Sequence, residues 1–379
     1  MSAAFRETTF AATTRIHAGI GILGRTAEIL AESGSQHVLV VADRGLERIG
    51  VLARILDWAG MADRVVGCEL VDVNPSPAEV DIAASRARAL GADAVLAIGG
   101  GSGLSAAKAV ALLMTNDLRA RDLEGTDRAD SAPAPTVAVP TTAGSGSEVS
   151  NALVLHEAGA VRETIIRGRG YAPVAAVLDA RVLRGIPREP LVYAALDALT
   201  HALESLWSRG RSMFTDACAL HAAANVFSAL PEATTGEADG RNAEGRNDAV
   251  LQRLLEAASL ANIACGNSGL ALVHALSSSL AVDEPHGLQN GRLLPHIAAF
   301  NRDLVSAEAR DLIDRIPALY DTIGFDPDIK WEAERIDAVL EASRGHPFRD
   351  NNIRESTDTQ LRELLETIAP SQTPERGEQ

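Results

Sequence analysis

The stretch "DAVLAIGGGSGLSAAKAVALL", residues 93–113, decides the fold. An apolar run ends at Gly99, Gly100, Gly101 and Ser102 and passes straight into a segment rich in alanine and leucine. A strand covered on both faces reads as a continuous apolar run, and one that feeds a helix with no hairpin turn belongs to a parallel sheet. Three residues without Cβ let a backbone approach a pyrophosphate, and the helix N-terminus that follows offers free N–H groups and positive dipole. A plain strand-to-helix turn has little need of three consecutive glycines.

Further apolar runs lie on either side: "HVLVVA" (37–42), "RVVGCEL" (64–70) and "TVAVP" (136–140). Amphipathic segments such as "GLERIGVLARILDWAG" and "PAEVDIAASRARALG" separate them. From about residue 188 the pattern turns helical, so a parallel α/β domain over 1–187 and an all-helical domain over 188–379 are expected. The polar, glycine-rich segment 231–248 reads as a long inter-helix loop, and the tail "APSQTPERGEQ" as disordered.

A second glycine motif, "GIGILG" with Gly19, Gly21 and Gly24, formally matches the dinucleotide fingerprint, and Asp43 follows nineteen residues later. The preceding "FAATTRIHA" alternates poorly and does not read as a buried strand, so the turn at Gly99–Ser102 is the preferred phosphate cradle. Asp43 ends a strand, where a carboxylate accepts hydrogen bonds from an adenosine ribose and repels a 2′-phosphate, favouring NAD over NADP. In "VPTTAGSGSEVSN" a strand ends in Thr141 and Thr142 and runs into small residues up to Ser147, where open α/β sheets bind ligands.

Composition sets outer limits. A formal charge of −16 and a pI near 5.0 argue against nucleic acid or an anionic membrane as partner. Cys68, Cys218 and Cys265 are too few and too scattered for a disulfide framework, which points to a reducing cytoplasm. No signal-peptide core is apparent at the N-terminus, and no apolar run is long enough to span a bilayer. Aromatic residues are 3% of the chain, which disfavours an aromatic substrate pocket.

In "LDALTHALESLW" (196–207), Asp197 and His201 stand four apart in a helical run and share one face. Alone, such a pair is more often a satisfied core contact. His274 in an apolar helical run and His286 after Pro285 add two imidazoles in the same helical domain. One carboxylate and three imidazoles suit a divalent ion such as Fe²⁺ or Zn²⁺. His296 reads as structural.

These residues carry a family resemblance. "GGGS" followed by "AAK", then "PTTAGSGSEV", "DALTHALES", "LVHAL", "PHG" and "LLPHIAAFN" occur in the order, and close to the spacing, of the iron-containing (group III) alcohol dehydrogenases. The chain resembles that family over nearly its whole length. The resemblance implies a dehydroquinate synthase-like fold, with a Rossmann-like N-terminal domain, a helical C-terminal domain and a cleft between them for NAD and one metal ion. It implies Asp197, His201, His274 and His286 as metal ligands, and Gly99, Gly100, Gly101 and Ser102 as the pyrophosphate turn. Thr141, Thr142 and Ser147 are implied beside the cofactor, with Asp43 as selector of NAD. A homodimer is allowed by analogy and is not specified by the sequence.

The chain also departs from the family pattern. Ser105 stands where an aspartate near the nicotinamide is usual, and Ser278 where a proton-relaying histidine is usual. The interval from His274 to His286 is two residues shorter than usual, and Glu163 replaces a common lysine. Ser105 and Ser278 are therefore the candidate substitutes near the chemistry. Arg167 and Arg169 are candidates for recognising an anionic substrate group, although all but two of the 35 basic residues are arginine. The expected activity is metal-dependent reduction of a small aldehyde by NADH, or the reverse, with a metal-independent maleylacetate reductase type or a dehydroquinate synthase-type lyase as alternatives.

Overall fold

The computed structural model describes residues 7–61, 63–157, 159–235 and 245–368. Half of the expected loop at 231–248, residues 236–244, and the whole tail 369–379 lie outside them, although helix continues to Thr234.

Among the described residues, nine strands build two sheets. The larger contains β1 (Arg15–Ala18), β2 (Val38–Asp43), β3 (Val65–Val71), β4 (Ala94–Gly99), β6 (Thr136–Pro140) and β9 (Ala175–Leu178), and the smaller β5 (Gly125–Thr126), β7 (Ala152–Leu155) and β8 (Thr164–Arg167). The large sheet is parallel throughout, in the order β1-β9-β6-β4-β2-β3. β4, β6 and β9 are buried at every position, as the continuous apolar runs require. Helices α1 (Thr26–Glu32), α2 (Arg44–Arg48), α3 (Val51–Ala59), α4 (Pro77–Ala89) and α5 (Gly101–Thr115) accompany this sheet. The N-terminus of α4 is set by a capping box, with Ser76 and Glu79 satisfying each other's backbone N–H groups.

The sheet contains two strands that the sequence reading does not name, the short buried β9 and the edge strand β1. Arg15–Ala18 pairs in parallel with β9 at the sheet edge, but its positions are largely exposed, so no apolar run announces it. Adjacent β2, β4 and β6 place Asp43, Gly99 and Thr141 at neighbouring carboxyl ends, with Ala42 in register with Ile98 and Gly99 with Pro140. Ligands of open α/β sheets bind at such ends.

From Arg188 onward the described residues are helical. α6 (Arg188–Leu206), α7 (Met213–Thr234), α8 (Asp248–Ser268), α9 (Leu272–Ser277) and α10 (His286–Asn301) form the bundle. α11 (Ala307–Asp314), α12 (Ile316–Ile323), α13 (Ala333–Ser343), α14 (Pro347–Asn351) and α15 (Asp358–Ile368) close it. α6 runs through the centre, and Leu196, Leu199, Leu203 and Trp207 beyond its end are fully buried. Truncating any of those leucines to alanine costs about 2–5 kcal/mol. This rigid, central helix carries Asp197 and His201.

Candidate active site

The turn after β4 shapes one wall of the site. The Asp43 carboxylate lies inside it, accepting the Gly100 N–H at 2.7 Å and a bond from the Gly103 backbone. A Cβ at Gly103 would lie 2.1 Å from Asp43 Oδ1, so the lack of a side chain there is a packing requirement. Burial pushes the Asp43 carboxyl up to about 6, against those backbone bonds. The segment after β6 faces the turn: Thr141 N–H donates to Gly99 O at 2.9 Å, Thr142 lies beside Gly100 and Ser145 beside Gly101. Ser102 accepts the Asn74 N–H through its hydroxyl at 3.2 Å.

Lys108 on α5 fixes that facing segment. Its buried ammonium donates to the carbonyls of Ser147, Ser150 and Ala152 at 2.9, 3.2 and 2.5 Å. Three tetrahedral donors meet three acceptors, a match that a planar guanidinium cannot make. The chain has two lysines, Lys108 and Lys330, and one occupies this position. Burial pulls Lys108 down to about 7, opposed by neighbouring Glu148, while the three carbonyls favour the charged form.

Gly21 and Leu23, by contrast, donate their N–H groups to Asp179 at 2.9 and 3.2 Å, and Asp179 is fully buried and paired with Arg181 at 2.7 Å. The turn of "GIGILG" is thereby sealed by a neutralised carboxylate, which makes it structural.

The helical domain carries a second cluster. Asp197, His274 and His286 each offer one ligand atom, all within 4.8 Å of one another. His201 lies at the edge of this trio, with Nε2 3.8 Å from Asp197 Oδ1 and its ring stacked on His274 at 4.8 Å. Burial pushes the Asp197 carboxyl up, but His201, His274 and His286 together hold it well below the usual carboxylate range. His296 is half-buried, and burial lowers its pKa.

Two residues around the cluster escape sequence reasoning. Glu204, fully buried, accepts the N–H groups of Ala271 and Val273 at 3.0 and 2.6 Å and bonds His274 Nδ1 at 2.7 Å. One carboxylate thus caps α9 and turns Nε2 of His274 toward Asp197. Asn290 donates from Nδ2 toward Asp197 Oδ1, His274 Nε2 and His286 Nε2 at 2.8, 3.2 and 3.1 Å. Its two hydrogens face three electron-pair donors, and Asn290 Oδ1 and His201 Nδ1 are buried without a hydrogen-bond partner. One carboxylate and two imidazoles whose ligand atoms converge in this way fit a divalent cation. Helical spacing carried a signal for both, since Glu204 follows His201 by three residues and Asn290 follows His286 by four.

Two expected site residues, Ser278 and Ser105, make structural hydrogen bonds. Ser278 donates its hydroxyl to Ala275 O at 2.9 Å within its own helical turn, so its proton is already committed. Ser105 accepts the Val154 N–H at 3.2 Å and ties α5 to β7, a packing role. The shortened loop between His274 and His286 runs along the tip of the β7–β8 hairpin: Glu163 N–H donates to Ser278 O at 3.4 Å, Leu280 N–H to Val161 O at 3.3 Å, and Arg162 bridges Ser279. Arg167 donates to Thr126 at 2.8 Å, the Arg169 N–H binds Asp127, and both side chains are exposed, so neither is built as an anion receptor.

The family model for iron-containing alcohol dehydrogenase matches residues 13–180, and that for the C-terminal domain of the same family matches residues 191–369. The chain belongs to the iron-containing alcohol dehydrogenase family. It is 35% identical over 305 residues to a probable alcohol dehydrogenase, EutG, of Salmonella typhimurium, covering 78% of this chain and 74% of that one. It is 29% identical over 379 residues to lactaldehyde reductase of Escherichia coli, covering 92% and 96%. The structure of sulfoacetaldehyde reductase from Bifidobacterium kashiwanohense in complex with NAD+ superimposes with a TM-score of 0.85 at 28% identity, over 97% of this chain and 100% of that one. As a member of this family, the protein is an oxidoreductase acting on alcohols or aldehydes. Among the described residues, no helix is long and apolar enough to cross a membrane.

Proposed function

We propose that the protein is a metal-dependent, NAD(H)-linked enzyme that interconverts a small aldehyde and its alcohol. The convergence of Asp197, His274 and His286 carries this reading. These three, with His201 at the edge, would hold one divalent ion, Fe²⁺ or Zn²⁺. When bound, such an ion supplies Lewis-acid stabilisation of negative charge on the substrate oxygen.

Glu204 keeps His274 in the tautomer and orientation that ligation needs. The turn at Gly99–Ser102 and the N-terminus of α5 receive the pyrophosphate, with Thr141, Thr142 and Ser147 on the facing segment. Asp43 accepts ribose hydroxyls and disfavours NADP. The NAD+ complex of the related sulfoacetaldehyde reductase supports this cofactor choice. Names of relatives span a charged and an uncharged aldehyde, sulfoacetaldehyde and lactaldehyde, so family membership leaves the substrate's charge open. The partner is a small molecule, the compartment the cytoplasm, and the assembly a homodimer by family analogy.

The test is NADH oxidation with short aldehydes before and after chelation. The reading predicts loss on chelation and recovery with Fe²⁺ or Zn²⁺. Full activity after verified metal removal would favour the metal-independent maleylacetate reductase type.

A further inference from the structure

A carboxylate beside the ligand cluster bears on the substrate's charge. Glu163 begins the return arm of the β7–β8 hairpin, and its N–H bonds Ser278 O in the segment that links His274 to His286. Its side chain turns to His156 on the outgoing arm, with Nε2 and Oε1 3.3 Å apart and both side chains about four-fifths covered, at 19% and 18% exposed. His156 Nδ1 is buried without a hydrogen-bond partner. The pair therefore sits on the hairpin along which the ligand-bearing loop runs.

From this placement we infer that Glu163, oriented by His156, is a specificity-determining residue that selects uncharged, hydroxyl-bearing aldehydes and rejects anionic ones. The inference rests on the proposed aldehyde chemistry of the same site. Burial pushes the Glu163 carboxyl up, but His156, His286 and His274 hold it below its ordinary value, so it is ionised at neutral pH. His346 at the start of α14 also feels Glu163 and neighbouring Arg162. Arg167 on β8 is bonded to Thr126 farther along the strand, and Arg162 is the cation next to Glu163 in the chain. An ionised carboxylate accepts a substrate hydroxyl, and in a partly dry site it repels a second anion by a factor on the order of tenfold to a hundredfold in binding.

Glycolaldehyde and glyoxylate, matched in size and differing in charge, are the test substrates. Metal content is measured on every variant, and calorimetry records binding of ethylene glycol and glycolate to the enzyme–NAD+ complex. The wild type is expected to favour glycolaldehyde in kcat/KM by at least about tenfold, Glu163→Gln to raise the glyoxylate value by a similar factor and tighten glycolate, and Glu163→Asp to keep the wild-type preference. A folded, metal-replete Glu163→Gln with unchanged ratios would overturn the inference, as would a wild type that already prefers glyoxylate. If Glu163→Gln does not fold, His156→Gln is read in its place, with a weakened preference expected and an unchanged one contradicting the inference. If no aldehyde is turned over, the proposed function fails, while the calorimetric comparison of glycolate with ethylene glycol still decides the charge preference.

Discussion

Asp43, part-buried at the turn after β4, and Asp197, buried on α6, are carboxylates that their surroundings push in opposite directions. Asp43 is held by backbone N–H groups with no cation beside it, and burial raises its pKa to about 6. Three imidazoles surround Asp197 and keep it ionised far below the usual range. A carboxylate of the first kind is ready to accept hydroxyls, whereas one of the second kind, ringed by imidazole nitrogens that bind either a proton or a metal, is a cation site. In the proposed function, Asp43 would take the cofactor's ribose and Asp197 the metal.

The largest expected effect breaks the contrast at its metal side. Asp197→Ala should abolish turnover, whereas Asp43→Ala should retain turnover with a raised KM for NADH; steady-state kinetics on both variants compares them directly. Next comes Glu204→Gln, which keeps shape but weakens the grip on His274. Metal affinity, read by competition with a chelator, should fall about 10- to 100-fold.

On the cofactor side, Asp43→Asn should narrow the preference for NADH over NADPH by about tenfold or more. The same preference in the wild type should depend on pH. Asp43 is ionised above its pKa of about 6, so discrimination is complete above that pH and fades as the pH falls through it. A preference constant from pH 5 to 8 would sever Asp43 from cofactor choice. Lys108→Arg crowds a fully buried site and breaks the match to three carbonyls, costing about 1–3 kcal/mol of stability with a raised KM for NADH, measurable by denaturant titration and kinetics. The smallest change is expected from Ser278→His, which adds a titratable group near His274 and should alter the pH–rate profile.

Legibility in the sequence follows physical cause. Strands buried on both faces announce themselves as apolar runs, so β2, β4 and β6 were readable almost to the residue. The four-residue edge strand β1 and the two-residue β5 bury too little to leave a pattern. The Asp197–His201 pair was visible because helical spacing places both on one face, and His274 and His286 because further imidazoles are needed to complete such a set. Extending the same spacing rule by one turn would have reached Glu204 and Asn290. The roles expected of Ser105 and Ser278 depended on where each hydroxyl points, and spacing carries no information about that. The pairing of His156 with Glu163 depends on a hairpin whose tip is laid against a distant loop, so only the folded chain brings it into view.

The most direct test of the account is metal content per chain, measured by mass spectrometry on protein purified anaerobically without chelators, for the wild type and Asp197→Ala. The account predicts about one iron or zinc per wild-type chain, and none in the variant. A metal-free wild type that does not take up Fe²⁺ or Zn²⁺ on addition would contradict it.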